Sequence, residues 1–264
     1  MNSNTAVHLQ VSAEGLAIVT LAQPERGNPF DGVFVRDLKD VFLRLWETPN
    51  LRAVLIRADG MNFSFGGDLK TFYPQRDQLG AVVRSLTADL HMGLQRAWRL
   101  AVPVVAEVQG FAMGGGVAFF AGADVVLASQ SARIGSAFSQ IGFSCDSGTT
   151  LALTARMGAA RAKRFVMLGE VWSSEQALQA GLVDRVVPDD ELQAEAFALA
   201  RQLAAGPTVA YGEIKRLFLR AGAAELESLL EDEALTLARV AATHDAREGV
   251  AARVEKREPV FQGR

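Results

Sequence analysis

Pro103–Ser129 reads PVVAEVQGFAMGGGVAFFAGADVVLAS, and the organisation of the whole chain follows from it. PVVAEV is a short valine-rich run that predicts a strand. GFAMGGGVAFFAGAD leaves that strand through glycines and enters a helix, and DVVLAS is strand-like again. Upstream the same unit recurs. RAVLIRA (Arg52–Ala58) reads as a buried strand closed by the turn DGMN, and an amphipathic helix is expected over about 81–100, ending before Pro103. Downstream, ARIGS continues the strand pattern. Repeated β–α alternation predicts an α/β fold, a largely parallel sheet with helices packed on it.

Towards the N-terminus, VHLQVSA and GLAIVTLA predict a hairpin around Ala13–Gly15. DGVFVRDLKDVFLRLWE carries Phe34, Leu38, Val41, Phe42 and Leu45 at helical spacing, with Asp31 placed to cap the helix. From about Ser147 onward the pattern reads as almost wholly helical, and AAELESLLEDEALTLARVAATHDAREGVAARVEKR predicts two C-terminal helices. With no low-complexity linker, the chain divides into a core over 1–198 and a helical region over 199–264 by a change of element type alone.

Composition narrows the function. The 264 residues are 49% hydrophobic and 22% charged with a net charge of −3, which argues against a nucleic-acid partner. One cysteine excludes an intrachain disulfide framework, and three histidines without paired spacing predict no metal site. The N-terminal residues lack a signal-peptide layout, and the apolar runs are too short or too interrupted to span a bilayer, so a cytoplasmic location and no membrane partner are expected.

Two glycine-rich stretches, FSFGGDL (Phe63–Leu69) and GFAMGGGVAFF (Gly110–Phe120), each follow a predicted strand. Neither contains G-x-x-x-x-G-K-[ST] or G-x-G-x-x-G, so nucleotide-phosphate loops are excluded. Glycines serve tight turns and close packing, and they also expose backbone N–H groups. Two such donors meeting one oxygen form an oxyanion hole for a thioester enolate or a tetrahedral intermediate.

From end to end, QPERGNPF, FSFGGDL, PVVAEVQGFAMGGGVAF, GADVVLAS, FSQIGFSCDSGTT, SSEQALQAGLVDRVVP and REGVAARVEKREPVF resemble the crotonase superfamily, the enoyl-CoA hydratase/isomerase family. The resemblance implies a spiral of ββα units and a C-terminal helical region that builds trimers or dimers of trimers. It also implies an acyl-CoA thioester substrate, with coenzyme A present only as part of that substrate and no separate cofactor. The oxyanion amides then fall to Gly67 and Gly115.

The resemblance also frames the chemistry. The two glutamates of the family's hydratases correspond here to Ala118 and Phe138, which makes straightforward hydration doubtful. Asp146, in SQIGFSCDSGTT, stands where hydratases usually have glycine. The run resembles the branch of the phenylacetate-pathway epoxide/oxepin-CoA isomerases, which carry Asp there. By its own residues Asp146 is equally a helix cap before SGTTLAL or an acid; the resemblance favours an acid whose pKa is raised by Phe138 and Phe143. The expected activity is double-bond isomerisation with Asp146 as proton shuttle. The alternatives are an aryl-CoA dehalogenase or hydrolase using Asp146 and His91, a hydratase, or a silent acyl-CoA-binding homologue. Cys145 is expected to be small apolar lining. Arg26, Lys70 and Phe65 are candidate neighbours of coenzyme A, as are Lys256 and Phe261 of EKREPVF; relatives often carry Phe at the position of Arg253.

Overall fold

A computed structural model describes residues 5–221 and 226–260. Its strands are β1 (Val7–Val11), β2 (Leu16–Leu21), β3 (Pro29–Phe30), β4 (Ala53–Ala58), β5 (Gly66–Gly67), β6 (Val104–Val108), β7 (Phe111–Met113), β8 (Val125–Ser129), β9 (Arg133–Gly135), β10 (Val171–Ser173) and β11 (Arg185–Val187). β1 and β2 form the expected hairpin, turning through Gly15, and pair Val7 with Leu21 and Val11 with Ala17. From there the long sheet runs β1-β2-β4-β6-β8-β11, and every pair after the hairpin is parallel. β4, β6 and β8 lie inside this sheet, covered on both faces, which is why they read as near-continuous apolar runs.

Two small sheets, β10-β9-β7 and β3-β5, lie apart from the long one, and an isolated bridge from Ser64 to Ala112 brings the approach to β5 beside β7. The chain therefore repeats one course. It gives a strand to the long sheet and a short strand to a small sheet, then forms a helix. β2, β3 and the helix Gly32–Glu47 make the first turn. β4 and β5, with the helices Leu69–Phe72 and Leu79–Trp98, make the second. β6, β7 and the helix Gly115–Ala121 follow, then β8, β9 and the helix Thr149–Met157. This is an α/β spiral of ββα units. Its inner core joins Val19, Ile56 and Val126 of the sheet to Phe34, Phe42 and Phe119 of the helices.

Local chemistry explains the elements. Asp31 caps the helix Gly32–Glu47 as expected, its Oδ1 accepting from Val33 N and Phe34 N at 2.9 Å each, and the predicted stripe from Phe34 to Leu45 is buried. One expectation fails. The stretch after Ser147 is not almost wholly helical, because β10 and β11 add three residues each to the edges of existing sheets. Strands that short carry no readable period. The division at 198/199 falls inside the helix Leu192–Ala204, whose Leu192, Ala196, Ala200 and Ala204 recur every fourth residue and cover Leu55, Val105 and Leu127 on the outer face of the long sheet.

The C-terminal helices Leu226–Ala241 and His244–Glu255 both form, the second capped by Thr243. The first packs along the helix Leu79–Trp98. Together they close an apolar cluster over Phe72, Phe138 and Phe143, with Leu237, Ala246 and Val250 on the covering side. Among the described residues no helix is long and apolar enough to cross a membrane.

Candidate functional site

The spiral leaves a cavity of about 460 Å³ between the glycine-rich loops and the C-terminal helices. Gly67, Gly115, Phe138, Phe143 and Asp146 all line it, so five residues scattered over eighty positions of sequence meet at one place. Leu86 and Leu90 of the helix Leu79–Trp98 and Leu237 of the first C-terminal helix complete the apolar wall.

Gly66 fixes how the two glycine loops meet. It holds φ +74°, and a Cβ there would fall 2.7 Å from Met113 O and 3.1 Å from Gly115 N. Only hydrogen at that position lets the loop carrying Gly67 come this close to the loop carrying Gly115. Gly115 in turn abuts the acid segment, since a Cβ there would lie 3.1 Å from Ser147 Oγ.

Three carboxylates with different surroundings line the cavity. Glu25 is exposed at the mouth. Asp68 is buried but fully engaged: it accepts from Lys70 N, Thr71 Oγ1 and Arg26. Asp146, only 9% exposed, accepts at Oδ1 from Ser147 Oγ at 2.9 Å. Burial pushes its carboxyl up to about 6, and the Ser147 hydrogen bond works against that rise. The cap position of the helix Thr149–Met157 falls to Gly148, and it is the Asp146 backbone carbonyl that accepts from Thr149 N. The Asp146 side chain is therefore turned to the cavity and is not the cap of that helix.

The segment between Ala137 and Ser147 is held under strain at both ends. Ala137 and Ser147 adopt φ +56° and +59°, a left-handed conformation that costs L-residues with a Cβ free energy. Both line the cavity.

His91 lies elsewhere. It is buried on the helix Leu79–Trp98, bonded to the Leu230 backbone, and it is not among the residues lining the cavity. Desolvation pushes its imidazole down to about 4, and Nε2 has no hydrogen-bond partner among the described residues. It belongs to the seam between two helices. Cys145 likewise packs beside the apolar cluster of Phe72 and Phe143 without lining the cavity.

Arg26, Phe65 and Lys70 line the mouth. Arg26 is committed to Asp31 and Asp68, tying together the caps of two helices. Phe65 is half-exposed and stacks on Phe111, ring centroids 5.9 Å apart. Lys256 terminates the helix His244–Glu255 in a left-handed conformation and is not among the lining residues; Phe261 lies outside the described residues. Two features were missed by the sequence reading. Arg253 reaches the cavity rim from the last helix, and Ser147 contacts the acid. The departure from Phe at Arg253 was the available signal for the first; no sequence signal marked the second.

The arrangement offers backbone amides beside a glycine contact, an apolar chamber, and one buried carboxylate with a raised pKa. Residues 12–264 match the family described as Enoyl-CoA hydratase/isomerase. A Rhodobacter capsulatus protein described as a probable enoyl-CoA hydratase is 34% identical over 96% of each chain. The 1,2-epoxyphenylacetyl-CoA isomerase of Escherichia coli is 33% identical over 95% of this chain and 96% of its own. The crystal structure of an enoyl-CoA hydratase from Mycobacterium avium subsp. paratuberculosis superposes with a TM-score of 0.88, at 29% identity, over 98% of this chain and 99% of that one. The chain belongs to the enoyl-CoA hydratase/isomerase family, within the crotonase superfamily.

Proposed function

We propose that this acyl-CoA-processing enzyme is a double-bond isomerase in which Asp146 takes a proton from the α- or γ-carbon of an enoyl thioester and returns it at the other end. The observation that carries the reading is the inventory of carboxylates at the cavity. Ala118 and Phe138 leave the two hydratase positions without an acid, Asp68 is consumed by Arg26, and Asp146 is the buried carboxylate left without a cationic hydrogen-bond partner among the described residues.

A single base suffices for this reaction, because the proton removed is the proton restored. Asp146, raised to about 6, is mostly ionised at pH 7 yet basic enough to accept a carbon-bound proton. Gly67 and Gly115 supply amides to the thioester oxygen while charge sits on the dienolate, each contributing about 3 kcal/mol to lowering the barrier. The apolar walls at Phe138 and Phe143 exclude water, which protects the intermediate from hydration.

The test uses a 3-enoyl-CoA in deuterated water, with crotonyl-CoA and 4-chlorobenzoyl-CoA as comparators. Conversion to the 2-enoyl isomer with little deuterium incorporation, lost in Asp146→Asn, is the expected result. Isomerisation that survives Asp146→Asn, or crotonyl-CoA hydration at a comparable rate, would overturn the assignment. Hydrolysis of 4-chlorobenzoyl-CoA would shift it to the dehalogenase class, although His91 stands off the cavity.

A further inference from the structure

We propose that Ser147 is a positioning residue for Asp146: its hydroxyl holds the carboxylate in a fixed orientation beside the loop that presents Gly115. The proposal rests on reading Asp146 as the base. Three observations support it. Ser147 Oγ donates to Asp146 Oδ1 at 2.9 Å. The same oxygen sits against Gly115, where a Cβ would come within 3.1 Å of it. And Ser147 is 1% exposed in a left-handed backbone conformation, φ +59°, that glycine would adopt without strain.

The last point carries most weight. Position 147 is followed by Gly148, also left-handed at φ +70°, so the turn itself has no need of a side chain at 147. A residue with a Cβ is held in a costly conformation at a place where its hydroxyl meets the acid. Strain kept at a cavity wall and used by one hydrogen bond indicates that the bond matters to the site.

The hydroxyl donates to the ionised form of the carboxylate, so it favours ionisation and opposes the effect of burial. The other charged side chains lining the cavity are Glu25, Arg26, Asp68, Lys70 and Arg253, and Cys145 is the titratable neighbour in sequence. Burial, Ser147 and the residue's own backbone account for the displacement of Asp146, with no charged neighbour among the causes. Loss of the hydroxyl therefore moves the carboxyl further upward.

Two variants with opposite backbone consequences test this. Ser147→Gly removes the hydroxyl and relieves the left-handed strain; Ser147→Ala removes the hydroxyl and retains the strain. In both, the Asp146 carboxyl is titrated by carbon-13 NMR in Asp-labelled protein and assigned by its absence in Asp146→Asn. The expected result is a midpoint about one pH unit higher in both variants, with the same displacement of the acid limb of kcat. On the alkaline plateau kcat is expected to fall about tenfold while KM stays within about twofold. An unmoved midpoint in Ser147→Gly overturns the proposal, as does a midpoint that moves only in Ser147→Ala together with a lowered Tm. If the wild-type enzyme shows no isomerisation, the proton-shuttle reading falls, and the NMR midpoint still decides whether Ser147 governs Asp146.

Discussion

Two buried acids, Asp146 and Glu107, separate a site from a mere perturbation. Burial pushes Asp146 up to about 6 and Glu107 up to about 7. Judged by displacement alone, Glu107 is the stronger candidate. Yet it projects from β6 on the same face as Val105, the outer face covered by the helix Leu192–Ala204, and does not line the cavity. Its charged neighbour is Arg57, which donates to Thr20 Oγ1 across the strand ladder. Among the described residues Asp146 has no cation, but it has a chamber, two glycine loops within reach and a strained segment around it. A raised pKa marks where water is excluded; only the cavity tells whether a substrate takes its place.

The sharpest way to break this comparison is to neutralise each acid in turn. Asp146→Asn is expected to lower isomerase kcat by about 10³-fold, in the range lost with a general base, whereas Glu107→Gln is expected to leave kcat within about twofold. Steady-state kinetics at pH 8, where both carboxyls are largely ionised, gives the cleanest reading. Equal losses in the two variants would dissolve the distinction.

A second test moves the oxyanion side and leaves the acid in place. Gly66→Ala puts a Cβ 2.7 Å from Met113 O and 3.1 Å from Gly115 N, at a φ of +74°. The two loops must separate, and kcat is expected to fall about 10²-fold, as it does when an oxyanion donor is displaced. Stability is expected to drop by about 2 kcal/mol in urea denaturation, from the strained conformation and the lost contact. A Gly66→Ala enzyme with normal kcat would show that the loop contact does not set the amides.

Much of this contrast was legible in the sequence, for reasons tied to particular residues. The helix Gly32–Glu47 announced itself because its cap and its apolar stripe are local, within sixteen residues of each other. Asp146 was reachable through absences, since Ala118 and Phe138 occupy positions where hydratases carry acid. β10 and β11 stayed hidden because three residues exist as strands only by pairing with β9 and β8, contacts set by the tertiary fold. The place of His91 was not legible for a related reason: its helix passes the cavity, but residue 91 lies on the face turned to Leu230 while Leu86 and Leu90 line the chamber. The Ser147 bond depends on a backbone φ of +59° that no serine advertises. The outer-face helix concealed itself in another way, because a small or apolar residue every fourth position (Leu192, Ala196, Ala200, Ala204) signals a helix without revealing which face of the sheet it covers.

The smallest effect separates the two acids by pH window. For each, the folded-state pKa lies above the ordinary carboxylate value, so between the two values the native state binds more protons than the unfolded state and stability falls as pH rises. Glu107 imposes this loss from about 4.5 to about 7, and Asp146 from about 3.8 to about 6. Removing the ionisable group removes the loss. Glu107→Gln is therefore expected to match wild type near pH 4.5 and to become more stable by about 1–3 kcal/mol at pH 8, the range reflecting what Arg57 forfeits when its acidic neighbour is neutralised. The gain in Asp146→Asn is expected to level off about one pH unit earlier. Urea denaturation at closely spaced pH values between 4 and 8 measures both curves. A gain from Glu107→Gln that is equal at every pH would trace to packing and not to ionisation, leaving Glu107 a buried residue whose charge the fold does not feel.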